Sequence, residues 1–176
     1  ATGIKGINDV KKYCKEISSL YGINSSNVIP FSTGVIGEPL PTSKYLSAFK
    51  EAISLLNEKN WKSAAQSILT TDTKPKLISK EIIIGKKKVA ITGFAKGSGM
   101  IRPDFATLLS FVFIDGKINS NSLERIHMNA LSESFEALTI DGDTSPNDSS
   151  LLVASGNQEN FIKKNSTDEK KLGKAV

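Results

Sequence analysis

The chain has 176 residues, 39% of them hydrophobic and 23% charged, an ordinary balance for a globular protein with a sizeable core. Its net charge of +5 comes from short lysine runs without a basic face or interleaved stacking aromatics, which argues against a nucleic-acid partner. No stretch approaches the roughly eighteen apolar residues of a membrane span, and the start, Ala1-Thr2-Gly3-Ile4-Lys5-Gly6, lacks a signal-peptide layout, so a cytoplasmic protein without a membrane role is expected. The single Cys14 and the single His127 leave no internal disulfide, no metal site and no Cys/His catalytic pair to build.

In chain order, residues 8–21 carry an amphipathic helix pattern. Asn8 or Asp9 is the N-cap, Val10, Tyr13, Cys14, Ile17 and Leu20/Tyr21 form the apolar stripe, and Gly22 is the terminator. Cys14 on that stripe reads as a core residue, with only surface lysines nearby to activate a thiol. Val28 to Ser32 predicts a short strand breaking at Thr33-Gly34, followed by a turn rich in Gly and Pro over residues 34–41. Thr42 or Ser43 caps a helix to about Leu56. A shorter helix covers Trp61 to Leu69, with Trp61 as a core anchor or subunit contact. Thr70-Thr71-Asp72-Thr73 puts three hydroxyls and a carboxylate into four residues, a composition suited to caps and turns because these side chains bond nearby backbone.

Leu77 to Ile84 and Lys88 to Phe94 are two β-rich runs around Gly85, a hairpin pattern. After it comes the turn Lys96-Gly97-Ser98-Gly99-Met100-Ile101-Arg102-Pro103-Asp104-Phe105-Ala106-Thr107, then the nearly all-apolar Leu108 to Ile114, expected as a strand buried on both faces. Ser120 or Asn121 starts a helix with Leu123, Ile126, His127, Ala130, Leu131, Phe135 and Leu138 at helical spacing. His127 reads as a packed or surface histidine rather than a base. The acidic loop Asp141 to Asp148 partly imitates a calcium loop but lacks its closing Glu, so a structured turn is expected. Leu151 to Ala154 adds a strand, and from Gln158 onward the polar, lysine-rich sequence reads as a frayed tail. No repeat or linker divides the chain, and the mixture of helix and hairpin signals predicts an α/β or α+β fold with a mixed sheet and packed helices.

The turn of residues 96–107 delivers one hydroxyl to the mouth of a strand. Gly97 and Gly99 are expected in backbone angles closed to other residues, Pro103 fixes the approach, and small Ala106 leaves its carbonyl open to attack. Attack by the Thr107 hydroxyl, an N-to-O acyl shift and ester hydrolysis would leave Thr107 as a new N-terminus. Its freed α-amine, with a reference pKa of about 7.7–8.0, would serve as base for its own hydroxyl. On residue chemistry alone an Ala-Thr pair entering a strand is more often a plain connection.

The run K-G-S-G-M-I-x-P-x-x-A-T at Lys96 to Thr107 resembles the self-cleavage signature of the ornithine acetyltransferase family, bifunctional glutamate N-acetyltransferases and amino-acid acetyltransferases. Three further stretches agree in order: Ser32-Thr33-Gly34-Val35-Ile36-Gly37, Thr70-Thr71-Asp72-Thr73-Lys74-Pro75-Lys76, and Asp141-Gly142-Asp143-Thr144 with Asn147-Asp148. Departures from the family pattern are Asp104-Phe105, where Asn-Met is more usual, and Pro146, where Thr is usual.

The resemblance implies a layered α/β fold like that of self-processing aminopeptidases, cleavage between Ala106 and Thr107, and an acetyl-Thr107 intermediate. Residues 1–106 would then end an α chain and 107–176 begin a β chain, with a heterotetramer of two α and two β chains as the expected assembly. Acetyl would pass from N-acetylornithine to glutamate, without a cofactor, acetyl-CoA entering only as a substrate in members able to use it. Thr33 and Gly34 match the family's oxyanion hole, and Thr70 and Lys96, with Thr107, its substrate contacts. A lysine there suits an amino-acid carboxylate. Ala1-Thr2-Gly3 resembles the end of a longer motif, so the chain is expected to be a fragment whose partners include the rest of its own chain. The remaining substrate residues would lie beyond Val176, leaving residues 1–176 inactive alone. Two rivals are a self-processing aminopeptidase with an N-terminal nucleophile, disfavoured by the T-T-D-T and S-T-G-V-I-G matches, and a noncatalytic α/β interaction module.

Overall fold

Helix α1 spans Gly3–Tyr21 in the computed structural model, which describes residues 2–102, 108–157 and 161–176. Its C-terminus is where the sequence puts it: Gly22 takes a left-handed φ of 68° and donates its N–H to the Ser18 carbonyl. Its start is not. Asn8 and Asp9, expected as caps, lie inside the helix, where the buried Asp9 is 3.9 Å from Lys12 one turn on, a pairing that suits a helix interior.

Residues 1–60 form one compact unit, residues 61–176 a second. In the first, α2 (Thr42–Ser54) packs on α1 through the buried Tyr13, whose ring lies 5.5 Å from Tyr45 and 6.2 Å from Phe49. Cys14 is half-buried and directs its thiol at the Val28 carbonyl, 3.8 Å away, in keeping with a packing role. Thr42 lies within α2 rather than capping it; Pro41 precedes the helix, and the Thr42 hydroxyl bonds back to the Leu40 carbonyl at 3.4 Å. The strand expected at Val28 to Ser32 does not form: a 3₁₀ turn at Ser25–Asn27 leads into irregular chain, with Ile29 62% exposed. Its β-branched residues favour extension, but no other segment among the described residues of this unit offers a ladder to pair with.

The second unit begins with α3 (Trp61–Ser67), then the antiparallel hairpin β1 (Lys76–Ile84) and β2 (Lys87–Lys96). Strand β3 (Leu109–Ile114) pairs antiparallel with β2. Two-residue β4 (Lys117–Ile118) and α4 (Ser120–Glu133) follow, and the chain returns as β5 (Ser149–Ala154), parallel to β3. The four-stranded sheet is therefore mixed, in the order β1-β2-β3-β5. A parallel neighbour needs a crossover, and α4 supplies it. α4 starts at Ser120, one of the two starts expected, and its cap is Asn119, whose side chain accepts the Ser122 N–H.

The predicted frayed tail is structured. Phe161–Ile162 (β6) pairs parallel with β4, and Thr167–Ala175 forms α5, with Leu172 fully buried. Ser166 caps α5 by accepting the Glu169 N–H, while Glu169 takes the Asn165 N–H at 2.6 Å and Arg125 of α4 at 2.6 Å. This is close to a capping box, and its Ser-x-x-Glu pattern was legible in the sequence. Val89, Ile91, Ile114 and Leu152 of the sheet close the core with Ile126 of α4 and Leu172 of α5.

On the sheet's other face Phe94, Phe111 and Phe113 stack. Trp61 anchors α3 there, 5.1 Å from Phe113 and 6.3 Å from Phe94. Because Phe111 to Phe113 are only half-buried, β3 is central in the sheet without being fully covered on both faces as expected.

Candidate active site

β2 ends at Lys96, directly before the glycine turn, and the loop carrying Thr70 to Asp72 comes alongside it. Lys96 is 2% exposed and donates to the Thr70 hydroxyl at 3.2 Å, so these two predicted substrate residues do meet. Burial pushes the Lys96 ammonium below its ordinary pKa, while the charges of Asp72 and Asp148 act to hold the proton on.

The turn beyond Lys96 is fastened from both sides. Asp72 accepts the Gly97 N–H with both oxygens, at 3.0 and 3.2 Å, and pairs with Lys76, which also donates to the Gly97 carbonyl at 3.1 Å. Burial works against the ionised Asp72 carboxyl, but the bonds from Lys76 and Gly97 outweigh it and leave its pKa below the usual value. The Thr71 and Ser98 hydroxyls bond at 2.6 Å. Asp141 then accepts two successive backbone donors, Met100 N–H at 2.6 Å and Ile101 N–H at 3.0 Å. The Met100 N–H is the foremost reason that the Asp141 carboxyl titrates below its ordinary range.

Gly97, at φ 153°, has the unusual backbone that the sequence predicts, whereas Gly99 does not. The left-handed residue is Met100, at φ 50°, held there by the Asp141 carboxylate. At Gly99 a Cβ would meet the Asp141 carboxylate at 3.4 Å, an ordinary contact, so neither backbone angle nor space demands glycine there.

Ile101 also accepts from the Ile140 N–H at 2.8 Å and the Thr139 hydroxyl at 3.2 Å. The chain is next described at Leu108, whose N–H donates to Asp148 Oδ1 at 2.7 Å and whose carbonyl accepts the Ser149 N–H at 2.9 Å. Pro103, Asp104, Phe105, Ala106 and Thr107, including the predicted scissile bond and nucleophile, lie outside the described residues. The backbone is thus anchored on either side of them by residues of the acidic loop, the structured turn expected there.

Ala95, Gly97, Ile101, Leu108, Leu138 and Ile140 line a cavity of about 170 Å³ beside this frame. Deeper in the sheet, His127 Nε2 lies 2.8 Å from the Ser150 hydroxyl, itself 2.6 Å from the Ser110 hydroxyl. Burial keeps the imidazole below its ordinary pKa, so His127 is a packed residue in a polar chain.

Thr33 and Gly34 belong to the first unit. They precede a turn closed by the Glu38 N–H on the Val35 carbonyl at 3.1 Å, and Thr33 is half-buried while Gly34 is exposed. Asp72, Asp141 and Asp148 are the residues sequence reasoning did not single out, although all three stand inside the motifs it quoted. No group of His, Cys, Asp and Glu suited to a metal occurs among the described residues, and no described helix is long and apolar enough to cross a membrane.

The architecture, a mixed sheet with flanking helices, resembles that of a solved protein, the arginine biosynthesis bifunctional protein ArgJ from Bacillus halodurans. The TM-score is 0.52 at 33% identity, covering 59% of this chain and 55% of that one. In sequence, the curated ArgJ bifunctional proteins of Methylococcus capsulatus and Pseudomonas fluorescens are 43% identical over 158 residues and 41% identical over 155. These alignments cover 90% and 88% of this chain but only 39% and 38% of the relatives, so the chain spans about two-fifths of their length. The ArgJ family profile matches residues 1–176. The chain belongs to the ArgJ family.

Proposed function

We propose that the full-length protein is an acetyltransferase of arginine biosynthesis that moves acetyl from N-acetylornithine to glutamate through an ester on Thr107. The protein first cleaves itself between Ala106 and Thr107. The Thr107 hydroxyl then takes the acetyl group, its α-amine serving as base, and ornithine leaves. Glutamate attacks the ester and departs as N-acetylglutamate, so one hydroxyl serves both half-reactions. Thr33 and the Gly34 N–H stabilise the oxyanion in each tetrahedral intermediate, a task for donors fixed in advance. Lys96 and Thr70 contact substrate, the lysine through a carboxylate. The word bifunctional in the relatives' names supports a second activity, and the proposal takes acetyl-CoA as its donor. A cytoplasmic assembly of two α and two β chains completes the proposal.

Family membership across the chain carries this reading. The meeting of Lys96 with Thr70 and the anchoring of the backbone on both sides of residues 103–107 support it. The test is transfer of labelled acetyl from N-acetylornithine to glutamate by full-length protein, with an acetyl adduct trapped when glutamate is withheld. Absence of both in folded protein overturns the proposal, and so does undiminished transfer by Thr107→Ala.

A further inference from the structure

Residues 70–72 are laced to residues 96–98 by their side chains. Thr70 meets Lys96, the Thr71 and Ser98 hydroxyls bond to each other, and Asp72 takes the Gly97 N–H with both carboxylate oxygens. Gly97 stands just past the end of β2, at a φ of 153° that glycine adopts readily and other residues do not. An ion pair holds it there. Asp72 accepts its N–H, and Lys76, paired with Asp72, donates to its carbonyl at 3.1 Å. One residue is thereby gripped at both of its backbone polar groups by two partners that also grip each other. An exposed ion pair contributes little by itself, and the Lys76 side chain is exposed. Asp72 is different: its side chain has no exposed surface, and a carboxylate so enclosed needs its counter-ion.

We infer that Asp72 and Lys76 are positioning residues for Lys96, fixing the peptide that follows it so that its ammonium stays directed at Thr70 and the substrate carboxylate. The inference rests on the proposed carboxylate contact of Lys96. Lys76 acts through the backbone rather than on substrate. In the hairpin register it lies opposite Ala95, and successive residues of a strand point to opposite faces, so Lys76 and Ala95 share one face while Lys96 points to the other. Without the clamp, Gly97 regains its wide choice of backbone angles, and the end of β2 carries Lys96 with it. The bond from Lys96 to Thr70, already 3.2 Å long, has little length to spare. Asp72 also acts through its charge: burial works against the ammonium of Lys96, and Asp72 is the foremost of the carboxylates that oppose this.

The experiment measures acetyl transfer by full-length protein as kcat and KM for N-acetylornithine and for glutamate. Lys76→Met removes the donor at an exposed position and is expected to fold like the wild type, as Trp61 fluorescence would report. Both substrates carry a carboxylate for Lys96, so KM should rise for both, by about tenfold, with kcat changed by less than about twofold. Lys76→Arg keeps the charge and the donors and should recover most of that loss. Lys74→Met removes a nearby exposed charge that makes no bond to the turn among the described residues, and it should match the wild type. An equal rise in KM there would reduce the effect to general attraction of anionic substrates and overturn the inference. Asp72→Asn still offers an acceptor to Gly97 but cannot pair with Lys76, so its KM should rise at least as far. Combined with Lys76→Met it should be no worse than alone, because both changes break one clamp. Additive losses, unchanged KM in both single variants, or a fall confined to kcat would each overturn the inference. A wild-type protein that transfers no acetyl would instead bring down the proposed function, and this inference with it.

Discussion

Leu172→Ala tests whether the last helix is part of the fold. Leu172 is fully buried and packs in one cluster with Ile84, Val89, Ile126 and Ile162. Truncating a leucine so enclosed typically costs about 2–5 kcal/mol, the transfer of the lost carbons plus the cavity they leave. With contacts from strands and helix on several sides the site cannot collapse easily, which puts the expected loss near about 3 kcal/mol. For a urea dependence of about 1–3 kcal/mol per molar, that loss moves the midpoint down by roughly 1–3 M. Trp61 is the sole tryptophan and sits against Phe94 and Phe113 in the same unit, so its fluorescence reports this unfolding. Lys171→Ala, at an exposed neighbouring position, is the control. A Leu172→Ala midpoint indistinguishable from the control would mean that α5 is not docked, and the core described above would be wrong.

Three further outcomes are expected. Asp141→Ala frees the Met100 and Ile101 amides, so their hydrogen exchange should accelerate while that of β3 stays protected; equal protection in the variant would show the turn to be held by something else. The folded-state pKa of His127 is depressed, so as pH falls below about 6.5 the unfolded chain binds a proton first and the second unit loses stability until the folded pKa is passed. His127→Gln should flatten that part of the stability profile, and parallel wild-type and variant curves would contradict it. Thr33→Ala in full-length protein should lower kcat on the order of a hundredfold with KM little changed; a change confined to KM would make Thr33 a binding residue.

The fold was legible wherever local chemistry and long-range packing agree. The Gly22 terminator and the hairpin around Gly85 follow from residues a few positions apart, and the Trp61 anchor from the burial a large aromatic at a helix start seeks, here against Phe94 and Phe113. Val28 to Ser32 misleads because strand propensity says nothing about whether a partner strand exists. The tail misleads in the opposite sense: its lysines hide a short apolar stripe, Leu172 and Ala175, whose burial depends on α4 and the sheet. At the site, the pairing of Lys96 with Thr70 follows from the quoted motifs. The work of Asp72, Asp141 and Asp148 does not, since an aspartate that accepts backbone N–H groups some 25 to 41 residues away looks in sequence like any turn aspartate.

The central claim is that residues 96–108 are framed for self-cleavage, and intact mass of the full-length protein addresses it most directly. The expected result is two chains, one ending at Ala106 and one beginning at Thr107, with Thr107→Ala remaining a single chain. A single uncleaved chain in enzymatically active wild-type protein, or a break at any other bond, would contradict the account.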